Sequence, residues 1–515
     1  MKIGISTYEL LIPKKVFSSK IDKELEFDSP LPEYCPDIAR IVKVDCTPFI
    51  ENCEVNDGKA TVTGKAVYDV LYETDYKNRL RCCNFTQEFN QSIPIPRNES
   101  GDISAFCKIV CEKIGCKLLS PRRLIIKSTL NAHFEIEGET AIKALEVNED
   151  KETFFRKKTI GFDGRTMLHE NTYRFDDTLS LAQSEKCIGE IVCGNISLQS
   201  PQVTLSPGRA EIKTSATVHT LCEEENNEGR YYMSVKTLPV NIEYNNEAIE
   251  DYKNISVTLE PFDTEFSPEL DQYGESRVIK TAFSVKMCMK INEPKAYTVA
   301  EDMFEKDFDS IPVVTSAILP HLASKNETSF SAEAKLAPMM PKPEILLDSS
   351  ARDYGSVVEM NDEGVTVSGA FTVTLLAETA EGIQSFDHSI PYNQFIPLDF
   401  SHEKTSIVAD TTPVEVIPTL HSDGSATIRV IATSQVYMYN ESEETFISEV
   451  TKRTASQKRE DDSMLIYFFP QKDEDLWSIA KHYRVNPESV IFANPNRFDG
   501  MGSLLESEKP ILIKI

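Results

Sequence analysis

The amino-acid sequence predicts a mainly β protein: three tandem antiparallel β-sandwich or open-barrel modules, then a small α+β domain ordered strand, helix, helix, strand. Three observations carry this. An 18-residue stretch of period-two alternation recurs three times, beginning at residues 56, 206 and 361. Each copy is followed by a second alternating run after a turn. Beyond residue 464 the pattern changes to the 3.6-residue period of helices, flanked by short apolar runs. A chain of 515 residues is also too long for one core, because single cores stop growing at roughly 250–300 residues.

The first residues, MKIGISTYELLIPKK, place an apolar run before Lys14 and Lys15 and interrupt it with Ser6, Thr7 and Glu9. That order is the reverse of a secretory signal, and no run of 18 apolar residues follows, so residues 1–27 read as an N-terminal segment of a chain that stays in the cytosol. The first module is expected over 28–145. Its alternating stretch is NDGKATVTGKAVYDVLYE, with Ala60, Val62, Gly64, Ala66, Tyr68, Val70 and Tyr72 on one face and Thr61, Thr63, Lys65 and Asp69 on the other. Asn56-Asp57-Gly58 supplies residues able to take φ > 0 in the turn before it.

The second module, 170–310, repeats the pattern as SPGRAEIKTSATVHTLCE, with Ala210, Ile212, Ala216, Val218 and Cys222 inward. The third, 330–450, repeats it as NDEGVTVSGAFTVTLLAE, with Val365, Val367, Phe371, Val373 and Leu375 inward. Leu71, Leu221 and Leu376 break the polar face at the same place in each copy, where a covering layer or a neighbouring module is expected. A strand running from 60 to 72 would span about 43 Å at roughly 3.3 Å per residue, so a bend is expected at Gly64 and Gly369, with Thr214 at the matching place in the second copy. The later runs SPRRLIIKSTLNAHFEI, ESRVIKTAFSVKMCMKI and SATIRVIATSQVYMYN supply further strands, and prolines in FNQSIPIP, VKTLPV and FDHSIPYNQFIPL suit strand ends or edges.

Residues 451–463 are polar enough for a linker. In the terminal domain, 464–515, Leu476, Ile479, Ala480 and Tyr483 share one helix face, with Asp475 at the N-cap position. Asn486 caps a second helix with Pro487 at its first position, and Ile511 to Ile515 closes as a strand. Trp477, the only tryptophan, is read either as cover for that helix or as an interface anchor.

The net charge of −28 repels phosphate backbones and anionic lipid, which weighs against nucleic-acid binding and membrane insertion. Twelve cysteines without a CxxC pair read as reduced thiols; Cys107, Cys111 and Cys116, the densest group with Cys82-Cys83, fit strand packing better than a metal site. The eight histidines are dispersed, and no phosphate loop, nucleophile elbow or HExxH motif is present. The sequence therefore predicts no enzyme, no cofactor and no metal.

Two resemblances follow from these motifs. The segment SPLPEYCPDIARIVKVDCTPF, followed by the first alternating stretch and FNQSIPIP, resembles the SPOCS domain of spore-coat proteins from endospore-forming Firmicutes, over 30–135. The later copies keep the strand pattern and lose the LPE…PDI opening. DLWSIAKHYRV with ANPN, across 464–515, resembles a LysM domain. That resemblance implies a groove for N-acetylglucosamine glycans lined by Asp473, Glu474, Asp475, Leu476 and Trp477 on one side and Asn494, Pro495 and Asn496 on the other. The family's first loop usually reads Gly-Asp-Thr before Leu-Trp. Here three adjacent carboxylates stand instead, and they favour a protein over a sugar.

Together the resemblances imply a coat morphogenetic scaffold of the mother-cell cytoplasm at the forespore surface. Its LysM domain would bind the coat basement-layer ATPase, and its β modules would contact other copies or coat components. The alternative is a peptidoglycan-binding wall protein, and further off a hydrolase with a wall-binding appendage.

Overall fold

The computed structural model describes residues 6–95, 103–148, 152–247, 249, 255–353, 355–361, 363–397, 405–455, 465–471, 474–499 and 509–514. The first module has six strands: β1 (Thr7–Pro30), β2 (Ile38–Asn56), β3 (Lys59–Thr74), β4 (Leu80–Pro94), β5 (Ser104–Ser120) and β6 (Arg123–Leu145). They form two antiparallel sheets, ordered β2-β3-β4 and β1-β6-β5, and β2 also runs against β5. The inward residues of the alternating stretch, Ala60 through Tyr72, meet Leu124, Ile126, Leu130, Ala132, Phe134 and Ile136 of β6 between the sheets. The expected sandwich is present. Its opening hairpin turns through Asp57 (φ 51°) and Gly58 (φ 71°), the left-handed conformation that Asp and Gly tolerate.

The architecture repeats. The second module comprises β7 (Thr153–Ser180), β8 (Ile188–Leu198), β9 (Gln202–Ser206), β10 (Arg209–Glu224), β11 (Tyr231–Asn245), β12 (Ile255–Leu270) and β13 (Ser276–Glu305). The third comprises β14 (Phe308–Leu336), β15 (Pro343–Asp353), β16 (Val357–Asn361), β17 (Gly364–Thr379), β18 (Gly382–Pro397), β19 (Thr405–Leu420) and β20 (Ala426–Ala455). In each, the predicted alternating stretch is the central strand of one sheet, and the downstream run is the central strand of the other.

The expected bend falls on the partner strand. Opposite Gly64 the register of β2 slips between Ile50 and Asn52; opposite Thr214 and Gly369 the equivalent strand is split into β8 and β9, or β15 and β16. A Cβ at Gly64 would lie 2.7 Å from the Phe89 ring, and one at Gly369 2.6 Å from the Tyr392 ring. Glycine there lets a cross-strand aromatic lie over the backbone, and Thr214 instead faces the smaller Val240.

The intervals between the expected modules are strands. Residues 7–27 belong to β1, 153–169 to β7 and 311–329 to β14, because each module begins with a long strand that pairs with its last one. Likewise β20 runs through Ala455, so residues 451–455 are strand and not linker. The outer halves of the paired ribbons β1/β6, β7/β13 and β14/β20 extend past the sandwiches and pack together as a stalk. Its core joins Leu10, Ile12 and Ala144 to Ile160, Phe162 and Val299 and to Ala317, Leu319 and Phe446. Lys158 pairs with Glu444 across it at 2.6 Å.

The three sandwiches also meet one another. Leu71, Leu221 and Leu376, 5%, 1% and 2% exposed, form one cluster with Val42, Leu80, Val192, Leu347 and Ile383. The apolar residues that interrupt the outer faces therefore cover each other. Polar contacts ring this junction. Arg79 of the first module bridges Glu223 of the second, Arg81 reaches Glu190 at 2.7 Å, and Arg352 of the third reaches Asp45 of the first at 2.7 Å. Glu223 is buried, yet Arg79 and the Gly229 N–H, 2.7 Å away, hold its carboxyl low against the upward push of burial.

All twelve cysteines are free thiols. Among the described residues no helix is long and apolar enough to cross a membrane.

At the junction, Leu221→Ala should cost about 2–5 kcal/mol, read as a lower midpoint in urea unfolding, because the site is closed on three sides and cannot collapse. Nearby, Asp69 faces Asp45 across β2 and β3. Burial first and Asp45 second push its carboxyl up to about 6. A raised carboxyl pKa means that the protonated form is favoured in the folded state, so this stability is present below about pH 4 and lost as pH rises through 6. Asp69→Asn should therefore raise the unfolding free energy at pH 7 by about 3 kcal/mol, with wild type and variant converging below pH 4.

Candidate functional site

The C-terminal unit is β21 (Leu465–Phe468), α1 (Leu476–Tyr483), α2 (Pro487–Ala493) and β22 (Ile511–Lys514), with β21 and β22 antiparallel. Its helix ends follow the sequence. Asp475 accepts from the Ser478 N–H at 2.8 Å, and the Ser478 hydroxyl accepts from the Asp475 N–H at 3.0 Å, a reciprocal capping box. Arg484 ends α1 in the left-handed conformation, and Asn486 caps α2 ahead of Pro487. Ile479, Ala480, Val485, Val490, Ile511 and Ile513 make a small core.

That core is shared with the stalk. Phe304 of β13 and Phe154 of β7 stack with centroids 5.0 Å apart, and Phe304 lies 5.1 Å from the Trp477 ring. The indole Nε1–H of Trp477 donates to Asp302 Oδ2 at 2.8 Å, and Lys481 Nζ reaches both Asp302 oxygens at 2.7 and 2.6 Å. Burial pushes the Asp302 carboxyl up, but Lys481 and Trp477 outweigh it and hold the group below its ordinary value. Arg156 of β7 reaches Asp475 at 3.3 Å, and Arg484 pairs with Asp309 and donates to the Phe308 carbonyl at 3.2 Å. Trp477 thus serves as an interface anchor within the chain.

The residues expected to line a groove divide by role. Asp475 is the helix cap and an ion-pair partner of the stalk; Leu476 packs into the small core beside Trp477. Glu474 accepts from the Gln471 N–H at 2.8 Å, closing the loop before α1. Asp473 lies outside the described residues. Asn494 is buried and acts as a clasp: its amide donates to the Val490 and Leu512 carbonyls at 2.7 and 2.6 Å and accepts from the Leu512 N–H at 2.6 Å. Pro495 and Asn496 are exposed beside it. Of this set, Asp475 and Trp477 are brought together on the stalk, and Asn494 is turned inward.

Sequence reasoning missed the receptor side, Asp302, Phe304, Arg156 and Asp309, because nothing local marks a strand end as a docking place. It also missed an outward apolar set on the terminal unit, Leu465, Tyr467, Phe469 and Phe492. The signal was present in MLIYFFP, a run apolar on both strand faces, where a two-stranded sheet covered by helices needs only one.

The first module also explains the LPE…PDI motif. Leu31 N–H donates to the Arg122 carbonyl at 2.8 Å, and the Arg122 guanidinium reaches the Pro32 and Cys35 carbonyls at 3.0 Å each and Asp37 at 2.6 Å. Residues 37–119 match the family model described as SipL, SPOCS domain. This segment is SPOCS-like. The SPOCS match takes in the β2-β3-β4 sheet and most of β5, narrower than the 30–135 resemblance, and it marks a sporulation coat-related protein. No curated protein and no solved structure matches the chain. Outside the SPOCS match the second module repeats the loop without its letters: Leu181 N–H donates to the Arg277 carbonyl at 2.8 Å, and Arg277 reaches the Ala182 and Glu185 carbonyls at 3.1 and 2.7 Å.

Asn494→Ala should leave three buried backbone groups unpaired and cost the terminal unit about 2–4 kcal/mol, seen as faster amide exchange in Ile511–Lys514 while the sandwiches stay protected.

Proposed function

We propose that the protein is a non-enzymatic adapter of endospore coat assembly, acting in the mother-cell cytoplasm at the forespore surface. Its C-terminal unit, LysM-like by sequence, binds the coat basement-layer ATPase, and its fused modules present further surface to coat components or other copies. The observation that carries this reading is the SPOCS match on a three-module body, joined at two places, that bears a small terminal unit on its stalk. Several features support a protein ligand over a glycan. The loop before α1 is acidic, Asn494 is committed to holding β22, and Trp477 already anchors a protein contact. A rigid body that carries several binding surfaces raises avidity without new chemistry.

The test is a pull-down from sporulating cells with the full chain, a truncation at residue 463 and Trp477→Ala, alongside pelleting with purified peptidoglycan. The adapter reading expects ATPase capture by the full chain alone and no pelleting. Sedimentation with peptidoglycan, or undiminished capture by a folded Trp477→Ala, overturns it.

A further inference from the structure

The face of the C-terminal unit that carries Trp477 is occupied in cis by an acidic-aromatic strand. Asp302 and Phe304 are two residues apart on β13, so both point to one side of the strand, and both meet Trp477. Asp309, just past the turn into β14, takes Arg484. The receiving surface therefore has one aromatic anchor flanked by two cations, Lys481 and Arg484, and its occupant has one aromatic flanked by two carboxylates. Anchor and charges are complementary, and the anchor's one polar atom is used.

We propose that this surface is a receptor for acidic-aromatic segments, that the chain's own Asp302–Asp309 stretch fills it as a latch, and that a protein partner presents the same chemistry and must displace the latch to bind. The inference deepens the adapter reading and rests on it for the identity of the partner. The contact is suited to exchange: its ion pairs are partly exposed, so each contributes little alone, and on the stalk side its apolar part is confined to Phe304 and Phe154. Displacement also accounts for a requirement that a freely exposed site would not have. The partner needs both a carboxylate for Lys481 and an aromatic for Trp477, because either alone leaves the latch the better ligand.

Trp477 is the only tryptophan, so its fluorescence in the full chain reports the latch directly. In Asp302→Lys, emission should shift to the red and acrylamide quenching should rise; the charge swap Asp302→Lys with Lys481→Asp should restore most of the protection from quenching, the indole N–H alone having lost its Asp302 acceptor. A synthetic peptide of residues 299–311, VAEDMFEKDFDSI, should re-protect Trp477 in Asp302→Lys, and the same peptide with lysine and alanine at its Asp302 and Phe304 positions should not. With the purified basement-layer ATPase as probe, Asp302→Lys should raise capture about tenfold, the change in competent population that ~1.4 kcal/mol of lost docking produces. Equal quenching in wild type and Asp302→Lys, or no protection by the native peptide, overturns the latch. If the latch fails while Trp477→Ala still abolishes ATPase capture, the adapter reading stands alone. If the fluorescence results hold and no variant captures the ATPase, the latch stands and the proposed partner falls.

Discussion

The whole body depends on one apolar contact made by three residues that each look misplaced within their own module. Leu71, Leu221 and Leu376 sit on the outer face of three separate sheets. In an isolated sandwich each would expose a large apolar side chain near the middle of a sheet, and together they would be an aggregation hazard. Packed against each other they bury one another, and the surrounding ion pairs fix which module faces which. Arg79 and Arg81 tie the first module to the second, and Arg352 ties the third to the first. Shape and charge thus act on different questions. The leucines supply the association, and the buried Glu223, satisfied by an arginine from the neighbouring module, penalises any other arrangement because it would then be left uncompensated.

A second junction, the stalk, makes that arrangement rigid. Were the sandwiches joined only at the leucines, each could pivot there. The paired ribbons meet again through Ala144, Val299 and Phe446 and their partners, so the three modules are held at two separate places. This double attachment requires long strands, and the 24 to 30 residues of β1, β7, β13, β14 and β20 answer to it. The ends of β6, β13 and β20 and the starts of β7 and β14 lie together at the stalk's outer end.

How much of this was legible depends on the range over which the signal acts. The central strands were plain because alternation and an Asn-Asp-Gly turn are local, and Val62 or Phe371 has only to be apolar at the right parity. The caps Asp475 and Asn486 were plain for the same reason. The first strands were not, because Thr7–Pro30 pairs with residues more than 90 positions away, and no turn announces such a partner. Leu71, Leu221 and Leu376 were visible as exceptions, but their meeting depends on three modules closing on one another. Within the terminal unit, Asn494 was placed at a groove by family position; the structure turns its amide to β22, a choice decided by two short elements packing in three dimensions.

The pseudo-threefold body then raises a question of symmetry: three equivalent ribbons end near the same place, and the terminal unit packs on the β7/β13 ribbon and the adjoining start of β14. The stalk core gives the equivalence. Ala144, Val299 and Phe446 each lie eight residues beyond Ile136, Ile291 and Met438 on β6, β13 and β20. Three residues further on in the sequence, the second module has Asp302 and the third has Glu449, while the first has Val147. Two more residues on, the second module has Phe304, and the sequence of the others has Glu149 and Thr451, neither of them aromatic. A carboxylate followed two residues later by an aromatic at these positions therefore occurs only in β13. Val147 offers Lys481 no charge, and Glu449 has a charge but no ring two residues on for Trp477. A threefold scaffold carries a single copy of the terminal unit, and the acid–aromatic pair of β13, with Arg156 and Asp309 beside it, distinguishes the place where that copy packs.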